Sequence, residues 1–377
     1  MLPQGNRRIK TVEVCNVSGN KAEYSRILQD MLHNGGFLLP DPNWLQLDDH
    51  SLPADQYDKN AALQMALSQG YFEKKCSQLD ALLNAWIGNI KPIKKETFSA
   101  YKKFLDRADF LNLWEANVLQ NKKSSLRFDA DLGSIMDLNL LYVFASSESR
   151  KATKILEVGG GYGRLAEASF NVFGRSVQYV MVDAVPASLC YAKQYLKEVC
   201  PQARVGSYYE QEGTAFDPSL YDISIIPAWH FEKVPQTKYD VCVNIESFQE
   251  MNQGHVDHYL KLFDTVTAPG ATIYLSNGRD YYFQGKWNIP NHWQRLFCSN
   301  TPRSGSPNHP TEVFRKTNED FSRPNCAIDA MYEYRVWRES IPDSVIDKFG
   351  LKRSMILVAQ AVCQRIITKL KGASLTR

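Results

Sequence analysis

Residues 155–164 read Ile-Leu-Glu-Val-Gly-Gly-Gly-Tyr-Gly-Arg, and this stretch decides the fold. The apolar run KILEV (154–158) stops at a cluster of glycines, and an amphipathic stretch begins at Arg164. A strand, a sharp turn without side chains and a helix form one β–α unit. Working outward, the runs YVMVD (179–183), YDISII (221–226), YDVCVNI (239–245) and ATIYLS (271–276) follow, with helix-like stretches between some of them. Short continuous apolar runs alternating with amphipathic helices predict a parallel sheet covered on both faces. The expected architecture is a doubly wound α/β domain. AMYEYRVWRE (330–339) and RSMILVAQAV (353–362) are the expected last strands.

Upstream, residues 1 to about 150 read as a helical N-terminal region for acceptor recognition or oligomerisation, with helical periods over 61–87 and 98–119. The stretch 36–60 is rich in Pro and Asp and reads as an ordered loop. The second domain runs over 151–377. Within it, 278–325 fits neither period and carries Tyr281, Trp287, His292, Trp293, Arg295 and His309, which predicts a lid insertion.

Composition narrows the class. Over 377 residues, 44% hydrophobic and 23% charged content excludes general disorder. A net charge of +3 does not suit a nucleic-acid binder. The eight cysteines form no C-x-x-C pair and read as reduced, mostly buried thiols, and no Cys/His spacing suggests a metal site. No apolar stretch of signal-peptide or membrane-spanning length is present, so a cytoplasmic location is expected. The C-terminal VAQAVCQRIITKLKGASLTR reads as a packed amphipathic helix.

Two ligand frames fit the glycine turn. As a dinucleotide site, Gly161-x-Gly163-x-x-Ala166 satisfies G-x-G-x-x-G/A. That register leaves the charged Glu157 inside a buried strand and two extra glycines ahead of the fingerprint. As an S-adenosylmethionine site, the frame is Glu157-x-Gly159-x-Gly161-x-Gly163, with Glu157 at the strand end facing the methionine ammonium. Asp183 closes the next strand, 183 − 163 = 20 residues past the last glycine. An acid there takes ribose hydroxyls in either frame; Glu157 is the residue that favours the second.

Glu157, Gly159, Gly161, Gly163 and Asp183, with the strand YDVCVNIES and the turn and strand APGATIYLS (268–276), resemble class I S-adenosylmethionine-dependent methyltransferases over about 150–280. EVGGGYGRLAE together with NIESFQEM looks more narrowly like bacterial sugar O-methyltransferases of surface-polysaccharide and natural-product clusters. The resemblance implies a mostly parallel seven-stranded sheet, S-adenosyl-L-methionine as cofactor and a small-molecule acceptor such as a sugar or nucleotide sugar. Aminopropyltransferases also carry G-G-G-x-G, but they favour an acid where this chain has Tyr162. A nicotinamide-dependent oxidoreductase and a non-catalytic nucleoside-binding assembly protein are the alternatives; a homo-oligomer is within the expected assemblies.

Methyl transfer to a hydroxyl gains from a positioned base. Candidates must lie beyond the C-terminal ends of the central strands. Glu246 and Glu250, four apart, would share a helix face; one would act as base, or both would hold sugar hydroxyls or a divalent metal. Asn244 joins the cofactor set, and Trp229, after the SIIPA run, either covers the adenine face or belongs to the core. His292 is the preferred base, since an imidazole titrates near operating pH. His255 and His258 read as surface imidazoles, with His255 a backup base. Arg279 and Arg295 would clamp an anionic acceptor group.

Overall fold

The computed structural model describes residues 17–39, 133–144, 153–211, 216–278, 287–300 and 310–319. The helices expected over 61–87 and 98–119, the strands at 330–339 and 353–362, and the C-terminal helix lie outside the described residues. So do Arg279, Tyr281 and His309.

The five apolar runs from KILEV to ATIYLS become strands. In chain order the elements are α1 (Val17–Asn34), α2 (Gly133–Phe144), β1 (Thr153–Val158), α3 (Arg164–Phe173), β2 (Val177–Asp183) and α4 (Pro186–Val199). They continue with β3 (Val205–Ser207), β4 (Ile223–Pro227), α5 (Ala228–Phe231), β5 (Tyr239–Ile245), α6 (Gln253–Val266), β6 (Thr267–Ser276), β7 (Trp293–Asn300) and β8 (Pro310–Lys316). The strands form one sheet in the order β3-β4-β2-β1-β5-β6-β8-β7. β1 through β6 pair parallel, and β8 runs antiparallel to both β6 and β7.

Central strands are buried on both faces, which explains why they read as mostly apolar runs rather than alternations. α3 buries Leu165, Ala166, Ser169 and Phe170 on a single stripe. α1 packs on α4, and α2 packs on α3. Cys190, Cys200 and Cys242 are buried. Among the described residues, no helix is long and apolar enough to cross a membrane.

Two features correct the expected sheet. It has eight described strands rather than seven, because the three-residue β3 adds an edge beyond β4. Moreover, the stretch read as a lid contributes β7 and β8. Their alternation is masked by charge, since Arg295 pairs with Glu312 at 3.2 Å and lies over the Phe314 ring. A half-buried ion pair and a cation–π contact therefore occupy positions where an apolar pattern would have announced a strand.

Candidate active site

The chain leaves β1 towards β2 on one side, while β5 lies on the other. This reversal opens a crevice at the carboxyl ends of the strands. A cleft of about 720 Å³, its open mouth included, occupies that place. Its walls are the turn after β1, the end of β2, the loop after β5, the start of α6, and Leu38 and Leu39 from the segment after α1.

The three framing glycines serve different needs. A Cβ on Gly159 would lie 2.0 Å from Ser247 Oγ, and one on Gly163 2.7 Å from Leu196 Cδ1. Protein packing alone explains both. Gly161 also has a left-handed backbone, φ 56°, but a Cβ there would meet nothing within 4 Å. Gly161 lines the cleft, so the space beside it is a cradle facing the cleft rather than a packed contact.

Asp183 lines the same cleft and is buried. Its Oδ2 accepts the Gly161 N–H at 2.9 Å, and its Oδ1 accepts the Val185 N–H at 2.8 Å. One carboxylate thus braces the glycine turn from the end of the neighbouring strand. With three backbone donors, Ala184 included, the carboxylate still keeps lone-pair capacity for a ligand hydroxyl. Burial pushes this carboxyl up to about 6, opposed by the backbone donors of Val185, Gly161 and Ala184.

Glu157 stands elsewhere than expected. It is not at the lip; it is buried beneath the bend and does not line the cleft. Its Oε2 accepts the Tyr179 hydroxyl at 2.8 Å and would lie 3.1 Å from a Cβ on Gly160. Strand alternation is the reason: Val158 lines the cleft, and Glu157 takes the other face of β1. There its electrostatic neighbours are Arg164 and Asp137. Arg164 donates to Ser134 Oγ at 2.9 Å and Asp137 Oδ2 at 3.0 Å, and the Tyr274 hydroxyl donates to Asp137 Oδ1 at 2.6 Å.

Burial pushes the Glu157 carboxyl from 4.5 to about 7, against the Tyr179 hydrogen bond and Arg164. The folded state therefore holds this proton more tightly than the unfolded chain. The contribution is fully present below pH about 4.5 and is lost as pH rises through about 7, by a total on the order of 3 kcal/mol. Glu157→Gln keeps an acceptor for Tyr179 but cannot ionise. The gap in melting temperature between this variant and the wild type should move in the variant's favour from pH 5 to pH 8. Parallel melting curves across that range would contradict the assignment.

The loop after β5 is held by two amides. Asn244 Nδ2 donates to the Val158 carbonyl at 2.8 Å, and its Oδ1 accepts the Phe248 N–H at 3.0 Å. Asn277 Oδ1 accepts the Ser247 N–H at 3.0 Å. Between these brackets, Glu246 takes a left-handed backbone, φ 54°, and its N–H donates to the Ser276 carbonyl at 2.8 Å. Such an outlier in a non-glycine residue costs about 1–3 kcal/mol and is held by its surroundings. It places Glu246 on the cleft wall.

Three expectations about the loop after β5 and the end of β4 are corrected here. Glu246 and Glu250 do not share a helix face, because only a single 3-10 turn (Phe248–Glu250) follows and α6 begins at Gln253. Glu250 is nonetheless pushed up to about 7 by burial, with Glu246 adding to the effect. Asn244 does not line the cleft; it brackets the loop from below. Trp229 does not line it either, since the ring is buried with its Nε1–H donating to Asp30 Oδ2 of α1 at 2.8 Å.

His292 lies at the wrong end of the sheet for a base. Trp293 pairs with Lys316, and Arg315 pairs with Thr272. His292 is therefore at least four residues below Ser276, roughly 13 Å at ~3.3 Å per residue. Its Nε2 is 2.6 Å from Asp264 Oδ1, which also accepts the Trp293 Nε1–H at 3.0 Å. These bonds hold the Asp264 carboxyl below its ordinary value against its own burial. Arg295 is likewise committed to Glu312 rather than to a ligand. His255, read as a surface imidazole, is buried against the cleft. Leu38, Leu39, Met251 and Tyr259 of the cleft wall carried no local signal. Among the described residues, no group of three His, Cys, Asp or Glu side chains is arranged to hold a metal.

No protein-family model matches the chain, and no curated protein matches it. It is similar to the solved structure of TrmN from Thermus thermophilus, at 14% identity and TM-score 0.34, over 50% of this chain and 51% of that one. It is similar to a TehB-like SAM-dependent methyltransferase from Corynebacterium glutamicum, at 14% identity and TM-score 0.34, over 48% of this chain and 87% of that one. The glycopeptide N-methyltransferase MtfA complexed with sinefungin matches at 9% identity and TM-score 0.35, over 50% of this chain and 87% of that one. The chain thus spans about half the length of TrmN. At these scores the likeness assigns no activity.

Proposed function

We propose that the chain is an S-adenosylmethionine-dependent methyltransferase acting on a hydroxyl of a neutral acceptor, a sugar or sugar-containing small molecule. The observation that carries this reading is the cradle at Gly161, open to the cleft and braced by the Asp183 carboxylate. A ribose-bearing ligand fits there, since its hydroxyls meet Asp183 and its backbone-hugging part needs a wall without Cβ atoms. The sheet order supports this reading over a dinucleotide site. Dinucleotide folds use the parallel order 3-2-1-4-5-6, whereas this sheet places the antiparallel β8 between β6 and β7.

S-adenosylmethionine, bound there, would supply a methyl group activated by a sulfonium. The chain's own residues then have these tasks. Asp183 holds the ribose hydroxyls. Glu157, beneath the bend, contributes negative potential to the ammonium end through a turn that carries no side chains. The apolar wall of Leu38, Leu39, Ile245 and Met251 excludes water, which strengthens each electrostatic contact inside. Glu246 faces the acceptor and takes its hydroxyl proton as the oxygen attacks. Among the described lining residues none is Lys or Arg, which supports a neutral acceptor over a phosphorylated one.

The deciding experiment compares thermal shifts with S-adenosylhomocysteine and NADH, followed by labelled-methyl transfer to a library of free sugars and glycosides. A shift with NADH alone would end the reading. Within it, Glu246→Gln should lower kcat by about 10²–10⁴-fold with S-adenosylhomocysteine affinity retained. Wild-type turnover would remove Glu246 as the base.

A further inference from the structure

The segment after α1 roofs the cleft and is pinned at two points. At the helix, Asp30 accepts the Trp229 Nε1–H at 2.8 Å and lies 2.7 Å from His230 Nε2. Beyond the helix, the Gly35 N–H donates to the Met31 carbonyl at 2.8 Å, and one 3-10 turn (Gly36–Leu38) carries the chain across. Leu38 and Leu39 then face the cleft. Phe37 is 59% exposed, its ring edge-on to His255 at 4.7 Å.

His255 supplies the second pin. Its Nε2 lies 2.6 Å from the Phe37 carbonyl oxygen. A carbonyl only accepts, so Nε2 carries the hydrogen and donates it. Nδ1 lies 3.0 Å from Asn252 Nδ2, whose Oδ1 already accepts the His255 N–H. The amide therefore presents its NH₂ group, and Nδ1 accepts. Both ring nitrogens are committed to structure, and neither is left to take a proton from an acceptor.

We propose that His255 is a positioning residue, a latch whose Nε2–H holds the Phe37 carbonyl and so keeps Leu38 and Leu39 over the cleft, setting how tightly the cofactor is retained. The retention half rests on the cleft being an S-adenosylmethionine site. The latch itself does not, and the test keeps the two apart.

His255→Ala removes the donor, while His255→Gln restores an N–H that can reach the carbonyl. Hydrogen exchange of the Leu38 and Leu39 amides in ligand-free protein reads the latch directly. Exchange should quicken in His255→Ala and return towards wild type in His255→Gln. Equal exchange in all three proteins would overturn the latch. With cofactor, His255→Ala should raise KM for S-adenosylmethionine and Kd for S-adenosylhomocysteine by about 3–10-fold, the loss of one hydrogen bond. That rise should outweigh any fall in kcat, and His255→Gln should recover most of it. A collapse of kcat with unchanged KM would overturn the proposal in favour of a base. Faster exchange in His255→Ala, with no S-adenosylhomocysteine binding even by wild type, would sustain the latch and remove the cofactor reading and the retention half with it.

Discussion

Asp183→Ala should weaken S-adenosylhomocysteine binding by about 10–100-fold. The carboxylate is assigned two jobs, and alanine ends both. Removing a charged acceptor from a ligand hydroxyl costs about 1.5–3 kcal/mol, and each 1.4 kcal/mol is tenfold in affinity. The Gly161 and Val185 N–H groups also lose their acceptor, so the turn that walls the cleft loosens. Isothermal titration of S-adenosylhomocysteine, with a melting curve to separate ligand loss from unfolding, checks the expectation. An unchanged Kd in a folded variant would show that no ribose sits at the end of β2.

Gly161→Val should shut the ligand out altogether, by about 100-fold or more, in a protein that still folds. The argument turns on where the new side chain goes. No protein atom lies within 4 Å of a Cβ at this position, so folding meets little steric conflict there. The left-handed backbone costs about 1–2 kcal/mol for a side chain bearing Cβ, more if it is branched. What valine fills is the cleft itself. Gly159→Ala is the contrasting case, because its Cβ would strike Ser247 and the damage should appear chiefly as lost stability. Titration and melting of the two variants together provide the check. Wild-type binding by Gly161→Val would mean that the cradle is not where the ligand lies.

The five central strands were legible because burial on both faces makes β1, β2, β4, β5 and β6 mostly apolar, with only single polar residues such as Glu157, Ser224 and Asn244 among them. β3 escaped notice because three residues carry no period. β7 and β8 escaped because Arg295, Glu312 and Lys316 satisfy their charges inside the fold, at 3.2 Å between Arg295 and Glu312 and 3.1 Å between Lys316 and Asp264. Charge in a sequence reads as exposure until its partner is known.

The site divides the same way. Gly161 and Asp183 could be paired from spacing alone, since a glycine turn after one strand and an acid closing the next lie side by side whenever the two strands are parallel neighbours. Glu157 was placed at the correct strand end but on the wrong face, because one residue of register decides between cleft and underside. His292 failed for a different reason. Its type suits a base, but β7, antiparallel to β8, runs in the same direction as β6, so it begins at the N-terminal end of β6 and His292 sits near Asp264, away from the cleft.

The amino-acid order by itself determined a β–α unit with a ligand-ready turn and an acid one strand later, because those features depend on neighbours close along the chain. Only the tertiary structure decided what surrounds them. Leu38, Leu39 and His255 come from distant segments that meet at the cleft, and Glu246 is strained into it by amides on two strands. Proximity across a fold follows from strand direction and packing, which no local period records.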